Sequence, residues 1–282
     1  MHYPVISQLF FFFALSLLIS LPASAASSSL RLYAMDCGSL SLESMALFED
    51  TDAYAGTPGH MAVPCFLVRH PKGDLIWDTG LGDHLAGQAG GVEIAEGITA
   101  RVPVSLRAQL QQLKLVPVDI EFVSFSHFHF DHTNNASLFA NSTFLLNRRG
   151  ADWALGSPTP FGVNPDSLKV IDGKNRQLLD LDHDVFGDGS VRILRAPGHT
   201  PGHQVLMLQL AKAGTLILSG DLYHTRDNFR HGRIPAINTS RAETLASFAR
   251  IGKLIEKHKA RLVIQHAPED FAALPEFPAY LD

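Results

Sequence analysis

The chain has 282 residues, of which 46% are hydrophobic and 18% charged, with a formal net charge of −5 at pH 7. That size and apolar content suit a folded protein with a full core in one large or two small domains. The negative balance and the lack of a Lys/Arg run exclude an electrostatic case for nucleic-acid binding, and no repeat or low-complexity tract occurs after the leader beyond Ser27-Ser28-Ser29.

The first segment, Val5 to Leu21, is almost wholly apolar and contains Phe10-Phe11-Phe12-Phe13. Leu21-Pro22-Ala23-Ser24-Ala25 follows, with small residues at the positions a signal peptidase reads. This predicts a signal peptide over 1–25, cleavage after Ala25, and a periplasmic or secreted product with no stable membrane insertion once the leader is removed. The segment before the apolar run departs from the pattern, having no Lys or Arg, and the alternative is an uncleaved anchor near the short limit for spanning.

Strand-like runs follow near 30–37, 63–70, 73–78, 119–126, 142–147, 190–195, 204–210, 214–219 and 262–265, rich in Val, Ile, Leu and Phe and often bounded by Gly, Pro, Asn or Asp. The two cysteines, Cys37 and Cys65, fall in or beside the first two of these runs. Export permits a disulfide, but sequence does not place their Cα atoms within bridging range, and the expectation is a pair of buried free thiols. Helical periodicity appears over 104–113 and again over 240–258, where Leu245, Phe248, Ile251, Leu254 and Ile255 predict a core-facing stripe. Ser240 with Glu243 three residues later reads as a capping box. Shorter helices are predicted near Thr133 and over Arg149–Leu155. The stretches Glu43–Met61 and Gly82–Gly97 lack a period and read as long loops, which are uncommon unless functional or disordered.

The chemistry concentrates in His127-Phe128-His129-Phe130-Asp131-His132, directly after Ile120-Glu121-Phe122-Val123-Ser124-Phe125. Side chains two apart on an extended chain point the same way, so His127 and His129 can converge on one ion, while Asp131 and His132 aim at a neighbouring point where the chain turns. A His-rich surface turn is the other reading of the hexapeptide taken alone. Three later segments point the same way: Ala196-Pro197-Gly198-His199-Thr200-Pro201-Gly202-His203, Ser219-Gly220-Asp221 and Val263-Ile264-Gln265-His266. Each sets a His or Asp just beyond a short apolar run, which is how several strands deliver ligands to one edge of a rigid scaffold.

From about Leu30 to about Asp270 this pattern resembles the metallo-β-lactamase superfamily, and Asp74-Leu75-Ile76-Trp77-Asp78-Thr79-Gly80 is similar to its early strand ending in Asp-Thr-Gly. Ser126 to Asn135, Pro197 to Gln204 and Gly220-Asp221-Leu222-Tyr223 look most like N-acyl-homoserine lactonases. The resemblance implies a mixed α/β (α+β) fold, an αββα sandwich forming a single domain over 26–282, with the metals at one edge between two sheets. It implies two Zn2+ ions or other divalent metals per chain. His127, His129 and His199 hold the first; Asp131, His132 and His266 hold the second; Asp221 bridges both. Imidazole and carboxylate donors without thiolate suit zinc, and also manganese, cobalt or iron. The bridging Asp221 is typically missing from β-lactam-hydrolysing relatives.

The implied reaction is opening of the lactone ring of N-acyl-homoserine lactones, a quorum-quenching activity, by a hydroxide shared between the ions, with Asp131 as ligand and proton shuttle. Familiar lactonases carry a tyrosine three residues after the bridging Asp. Here that place is His224, with Tyr223 one earlier, and either is a candidate substrate contact; a supporting or surface histidine is the other reading of His224. His203 is read as support that orients a ligand, and His60, His70, His84, His183, His231 and His258 are assigned no chemistry. The partner expected is a small lactone or ester. Related proteins are often homodimers through loop contacts, and nothing in the residues decides between one chain and two. The alternatives are a broad lactonase or esterase, an organophosphate hydrolase, a β-lactamase, a glyoxalase-like thioesterase, and a non-catalytic binding protein with a metal-stabilised fold.

Overall fold

A computed structural model describes residues 1–2, 30–173 and 175–282, so the predicted leader lies almost wholly outside the described residues. Among them, no helix is long and apolar enough to cross a membrane. Thirteen strands among the described residues form two sheets. The larger contains β1 (Arg31–Leu42), β2 (Gly59–His70), β3 (Gly73–Trp77), β4 (Val92–Ala95), β5 (Ile98–Arg101), β6 (Phe122–Ser124), β7 (Thr143–Asn147) and β8 (Arg176–Leu179). Their order is β4-β5-β1-β2-β3-β6-β7-β8. The smaller contains β9 (His183–Asp184), β10 (Val191–Arg195), β11 (Gln204–Leu210), β12 (Gly214–Leu218) and β13 (Arg261–Val263), in the order β13-β12-β11-β10-β9. The helices are α1 (Leu106–Gln112), α2 (Phe130–Thr133), α3 (Arg148–Ala154), α4 (Arg226–His231), α5 (Arg241–His258) and α6 (Pro268–Ala272).

The two-residue period of the strands explains the layers. On β3, Leu75 and Trp77 enter the core between the sheets with Phe66 and Val68 of β2, while Ile76 faces the other way and packs with Leu67, Leu106 and Leu110. On the smaller sheet, Leu206, Leu208, Leu216 and Leu218 face the same central core, whereas Met207 and Ile217 pack against Ile251 of α5. Both sheets are therefore apolar on both faces, and the αββα sandwich read from the resemblance is the fold observed.

Several boundaries differ from the sequence reading. β1 runs on to Leu42 and β2 starts at Gly59, so the first predicted loop is shorter than expected. The second, Gly82–Gly97, contains β4, whose residues are mostly exposed and therefore give no apolar alternation. Helices α4 and α6 and strands β8 and β9 were not anticipated from the sequence. Ser240 does cap α5 by accepting from Glu243 N–H at 3.2 Å, but the other half of the predicted box is missing because Glu243 pairs with Arg149 at 3.0 Å.

The expectation of free thiols is overturned. Cys37 and Cys65 are joined in a disulfide with a Cα–Cα distance of 5.6 Å. Cys65 lies opposite Met35 in the β1–β2 ladder, and a register shift between Asp36 and Ser39 swings Cys37 onto it. Gly38, at φ 129° within that shift, supplies the backbone conformation that a β-carbon disfavours.

Candidate metal centre

The site is built where chain segments leave the ends of β6, β10, β12 and β13. His127 and His129 follow β6, His199 follows β10, Asp221 follows β12 and His266 follows β13. Two groups of buried donors result: His127, His129, His199 and Asp221, and Asp131, His132 and His266, with the ligand atoms in each group lying within 4.8 Å of one another. All seven residues singled out from the sequence thus meet in space. Asp221 serves both groups: Oδ2 lies 3.4 Å from His199 Nε2 and 3.7 Å from His127 Nε2, and Oδ1 lies 3.1 Å from both His132 Nε2 and His266 Nε2.

The rings are aimed by their far nitrogens. His132 Nδ1–H donates to Asp78 Oδ2 at 2.9 Å, His266 Nδ1–H to the Ala62 carbonyl at 2.7 Å, and His199 Nδ1–H to Asn238 Oδ1 at 2.8 Å. These bonds leave Nε2 lone pairs pointing inward. His199 Nε2 lies 3.2 Å from His127 Nε2 and 3.1 Å from His129 Nδ1, and His132 Nε2 lies 3.3 Å from His266 Nε2. Lone pairs facing one another at such distances require a proton or a cation between them. Asp221 Oδ1 is buried without a hydrogen bond of acceptable geometry, although two ring nitrogens are close by. Neutral imidazoles and carboxylates converging in this way fit a pair of divalent ions.

Charge balance points the same way. Burial pushes His127 and His199 well below the ordinary histidine range, and brings His129 down to about 4. These three rings stay neutral and keep lone pairs available. At His132, burial opposes charge but is outweighed by Asp221, Asp131 and Asp78, which hold the ring well above its ordinary range; at His266 burial is likewise outweighed, chiefly by Asp221. Asp221 is held well below the carboxylate range by His266 and His132 despite its own burial. The carboxylates demand positive charge at this point.

His203 supports Asp221 as expected of an orienting residue. Its Nδ1–H donates to the Ala196 carbonyl at 3.0 Å, and its Nε2 accepts from the Asp221 N–H at 2.9 Å. Burial lowers this ring to about 4, so the acceptor is preserved at neutral pH. Gly220 cannot carry a side chain, because a β-carbon there would lie 2.6 Å from Ser126 Cβ and 2.7 Å from His203 Nε2.

The two candidate substrate contacts separate. His224 is buried in the cluster, with Nε2 at 3.0 Å from Asp221 Oδ2 and Nδ1 without a partner. Tyr223 is turned away. Its ring stacks on Phe248 of α5 at 4.4 Å and meets Phe229 edge-on, so of the two candidates it is the one that faces away from the cluster. The backbone at Tyr223 is extended, so adjacent side chains diverge and only one of the two can face the metals.

A predominantly apolar cavity opens over the cluster. Leu40, Leu42, Leu47, Phe48, Met61, Ile98, Phe130, Phe161 and Ile237 line it, with His129, Asp131, Asp221, His224 and His266 at its polar end. Phe48 and Met61 come from the first of the two predicted loops, and Met45 and Tyr54 of the same loop line an adjoining cavity that also reaches His224 and His266. Asp78, Ser126, Asn238 and Gln265 are parts of the site that motif reading did not assign. Asp78 stood inside a quoted segment, but its role depends on meeting His132, fifty-four positions away.

Comparison with known proteins adds to this geometry. Residues 58–266 match the model of the metallo-beta-lactamase superfamily. An N-acyl homoserine lactonase AttM of Azorhizobium caulinodans is 31% identical over 265 residues, covering 90% of this chain and 100% of that protein. A solved N-acyl homoserine lactone hydrolase, with the product N-hexanoyl-L-homoserine at its catalytic metal centre, has a TM-score of 0.77 at 23% identity, covering 89% of this chain and 99% of that one. AidC, described as a dizinc quorum-quenching lactonase, has a TM-score of 0.65 at 21% identity, covering 89% of each chain.

Proposed function

This chain belongs to the metallo-β-lactamase superfamily, and from that membership we propose that it is an exported dinuclear-zinc hydrolase that opens the lactone ring of N-acyl homoserine lactones. The observation that carries the reading is Asp221, a single buried carboxylate shared by the two donor groups at the end of an apolar cavity. Its alignment with a lactonase over 90% of the chain supports the substrate class.

Two ions in this site supply a Lewis acid for the carbonyl and a water nucleophile at neutral pH. The chain's own residues do the rest. The apolar walls take up an acyl chain and exclude water, which leaves the lactone ring at the polar end. His224 holds the orientation of Asp221 by its 3.0 Å contact. Asp131 lines the cavity, takes the proton that the attacking water gives up and passes it to the ring oxygen when the ester bond breaks. Export is favoured by the apolar leader and by the Cys37–Cys65 disulfide, a bond that persists in oxidising compartments.

The test is hydrolysis of N-hexanoyl and N-decanoyl homoserine lactones by zinc-loaded protein, followed by chromatography of the ring-opened acid, beside paraoxon, nitrocefin and a glutathione thioester. Turnover of the lactones above the other substrates is expected, with loss on chelation, recovery on adding zinc, and loss in Asp221→Ala. Full turnover after chelation, or turnover of another substrate alone, rejects the reading.

A further inference from the structure

Gln265 stands directly before His266, is buried, and makes three side-chain hydrogen bonds to segments far away in the chain. Its Oε1 accepts from Trp77 Nε1–H at 3.1 Å and from the Gly220 N–H at 2.9 Å, and its Nε2 donates to Asp78 Oδ2 at 2.8 Å. Two donors on one oxygen settle which end of the amide is which. The partners belong to both sheets: Trp77 ends β3 of the larger and Asp78 follows it, and Gly220 follows β12 of the smaller. Asp78 Oδ2 is the same atom that receives His132 Nδ1–H, and Gly220 immediately precedes Asp221. A single amide therefore connects the ring that offers Nε2 to the second donor group with the carboxylate shared by both groups.

The backbone at the two ends of this link needs holding. Asp78 sits at φ 59° and Gly220 at φ 49°, both in the left-handed region. For Asp78 that conformation carries a steric cost that its surroundings must offset. Asp78 is further tied by Ser126 N–H, which donates to Oδ1 at 2.6 Å. An amide suits the position because its oxygen accepts from Trp77 of the larger sheet and Gly220 beside the smaller, while its nitrogen donates to Asp78. A charged carboxylate would face Asp78 with like charge, and an apolar side chain would leave Trp77 Nε1–H and the Gly220 N–H without a partner and take one of its two donors from Asp78 Oδ2.

The geometry points to Gln265 as a positioning residue that sets the separation of His132 and Asp221, and so the affinity and geometry of the metal site made by Asp131, His132, His266 and Asp221. This rests on the dinuclear reading above. It is tested by titrating metal-free wild type and Gln265→Met with Co2+ against a competing chelator while recording the visible cobalt spectrum. The expected result is a loss of about 10- to 100-fold for the second ion, a smaller loss for the first because Asp221 serves both groups, and an altered spectrum of the doubly loaded form. If Gln265→Met does not fold, Gln265→Glu keeps both acceptor bonds and alters the Asp78 link, and the same uneven loss is expected. Wild-type affinity and spectrum for both ions in a folded variant overturn the proposal. A wild type that takes up fewer than two ions overturns the dinuclear reading and this proposal with it, whereas two ions in wild type with no lactone turnover reject the substrate alone.

Discussion

His224 occupies the place, three residues after Asp221, where the resemblance leads one to expect a tyrosine. A phenol there would offer a single O–H. The imidazole instead sets Nε2 at 3.0 Å from Asp221 Oδ2, tilts over Phe48 at 4.9 Å and lies parallel to His266 at 5.6 Å. Its work in this chain is to hold the shared carboxylate. Replacing it by phenylalanine keeps a ring in the space and removes the polar contact. Removing a buried polar partner of a charged group costs about 1–3 kcal/mol, so His224→Phe is expected to lower kcat/KM for a homoserine lactone by about 10- to 100-fold with both metals retained. Steady-state kinetics with metal analysis checks this; unchanged kcat/KM, or loss of an ion, rejects the assigned role. The metal ligands themselves were legible in the sequence because each follows a strand-like run and four sit in one hexapeptide. Asp78 and Gln265 were not, since their roles appear only when β3, β12 and β13 are brought side by side. Tyr223 and His224 stayed alternatives because adjacency in the chain says nothing of which side an extended residue faces.

The long helix α5 shows why a correct period can still mislead about a face. The expected stripe holds at Ile251, which is fully buried, and in part at Phe248, Leu254 and Ile255, which pack against the same cluster. Leu245 instead is 44% exposed, and Thr244 and Ser247 take its place. The cause is the segment carrying His199. A β-carbon at Gly198 would lie 2.4 Å from Thr244 N, and Ser247 Oγ–H donates to the Pro197 carbonyl at 2.7 Å. The first turns of α5 therefore meet a polar loop, and only the later turns meet the sheet. It follows that Leu245→Gln changes stability by no more than about 0.5 kcal/mol, whereas Ile251→Ala costs about 2–5 kcal/mol. Urea unfolding of the two variants measures the difference, and equal destabilisation would contradict this assignment of faces. The hairpin of edge strand β4 and its neighbour β5 escaped sequence reading for a related reason: β4 is mostly exposed and β5 is four residues long, which leaves no apolar alternation to read.

Across the molecule, the disulfide joins the fold to the metal centre. Cys37 and Cys65 tie β1 to β2, and Gly80 lies against them, with the position of a β-carbon there only 2.4 Å from Cys37 Cβ. Gly80 ends the Asp78-Thr79-Gly80 segment, whose Asp78 aims His132 and whose Thr79 N–H donates to the His132 carbonyl at 2.7 Å. The bridge thus closes a chain loop and also backs the segment that supports the second donor group. For a sequence separation of 28 residues, loop closure predicts about 3–4 kcal/mol of stabilisation. In a domain of this size each kcal/mol moves Tm by about 2–4 °C, so Cys37→Ala/Cys65→Ala is expected to melt roughly 10 °C lower than the oxidised wild type. Calorimetry of the metal-free proteins isolates this effect from metal binding. Wild type reduced with a phosphine should fall by a similar amount, because reduction removes the same constraint on the unfolded chain. A double variant that melts with the oxidised wild type would mean that the bond adds nothing to the fold, and would remove the thermodynamic reason for expecting this protein in an oxidising compartment.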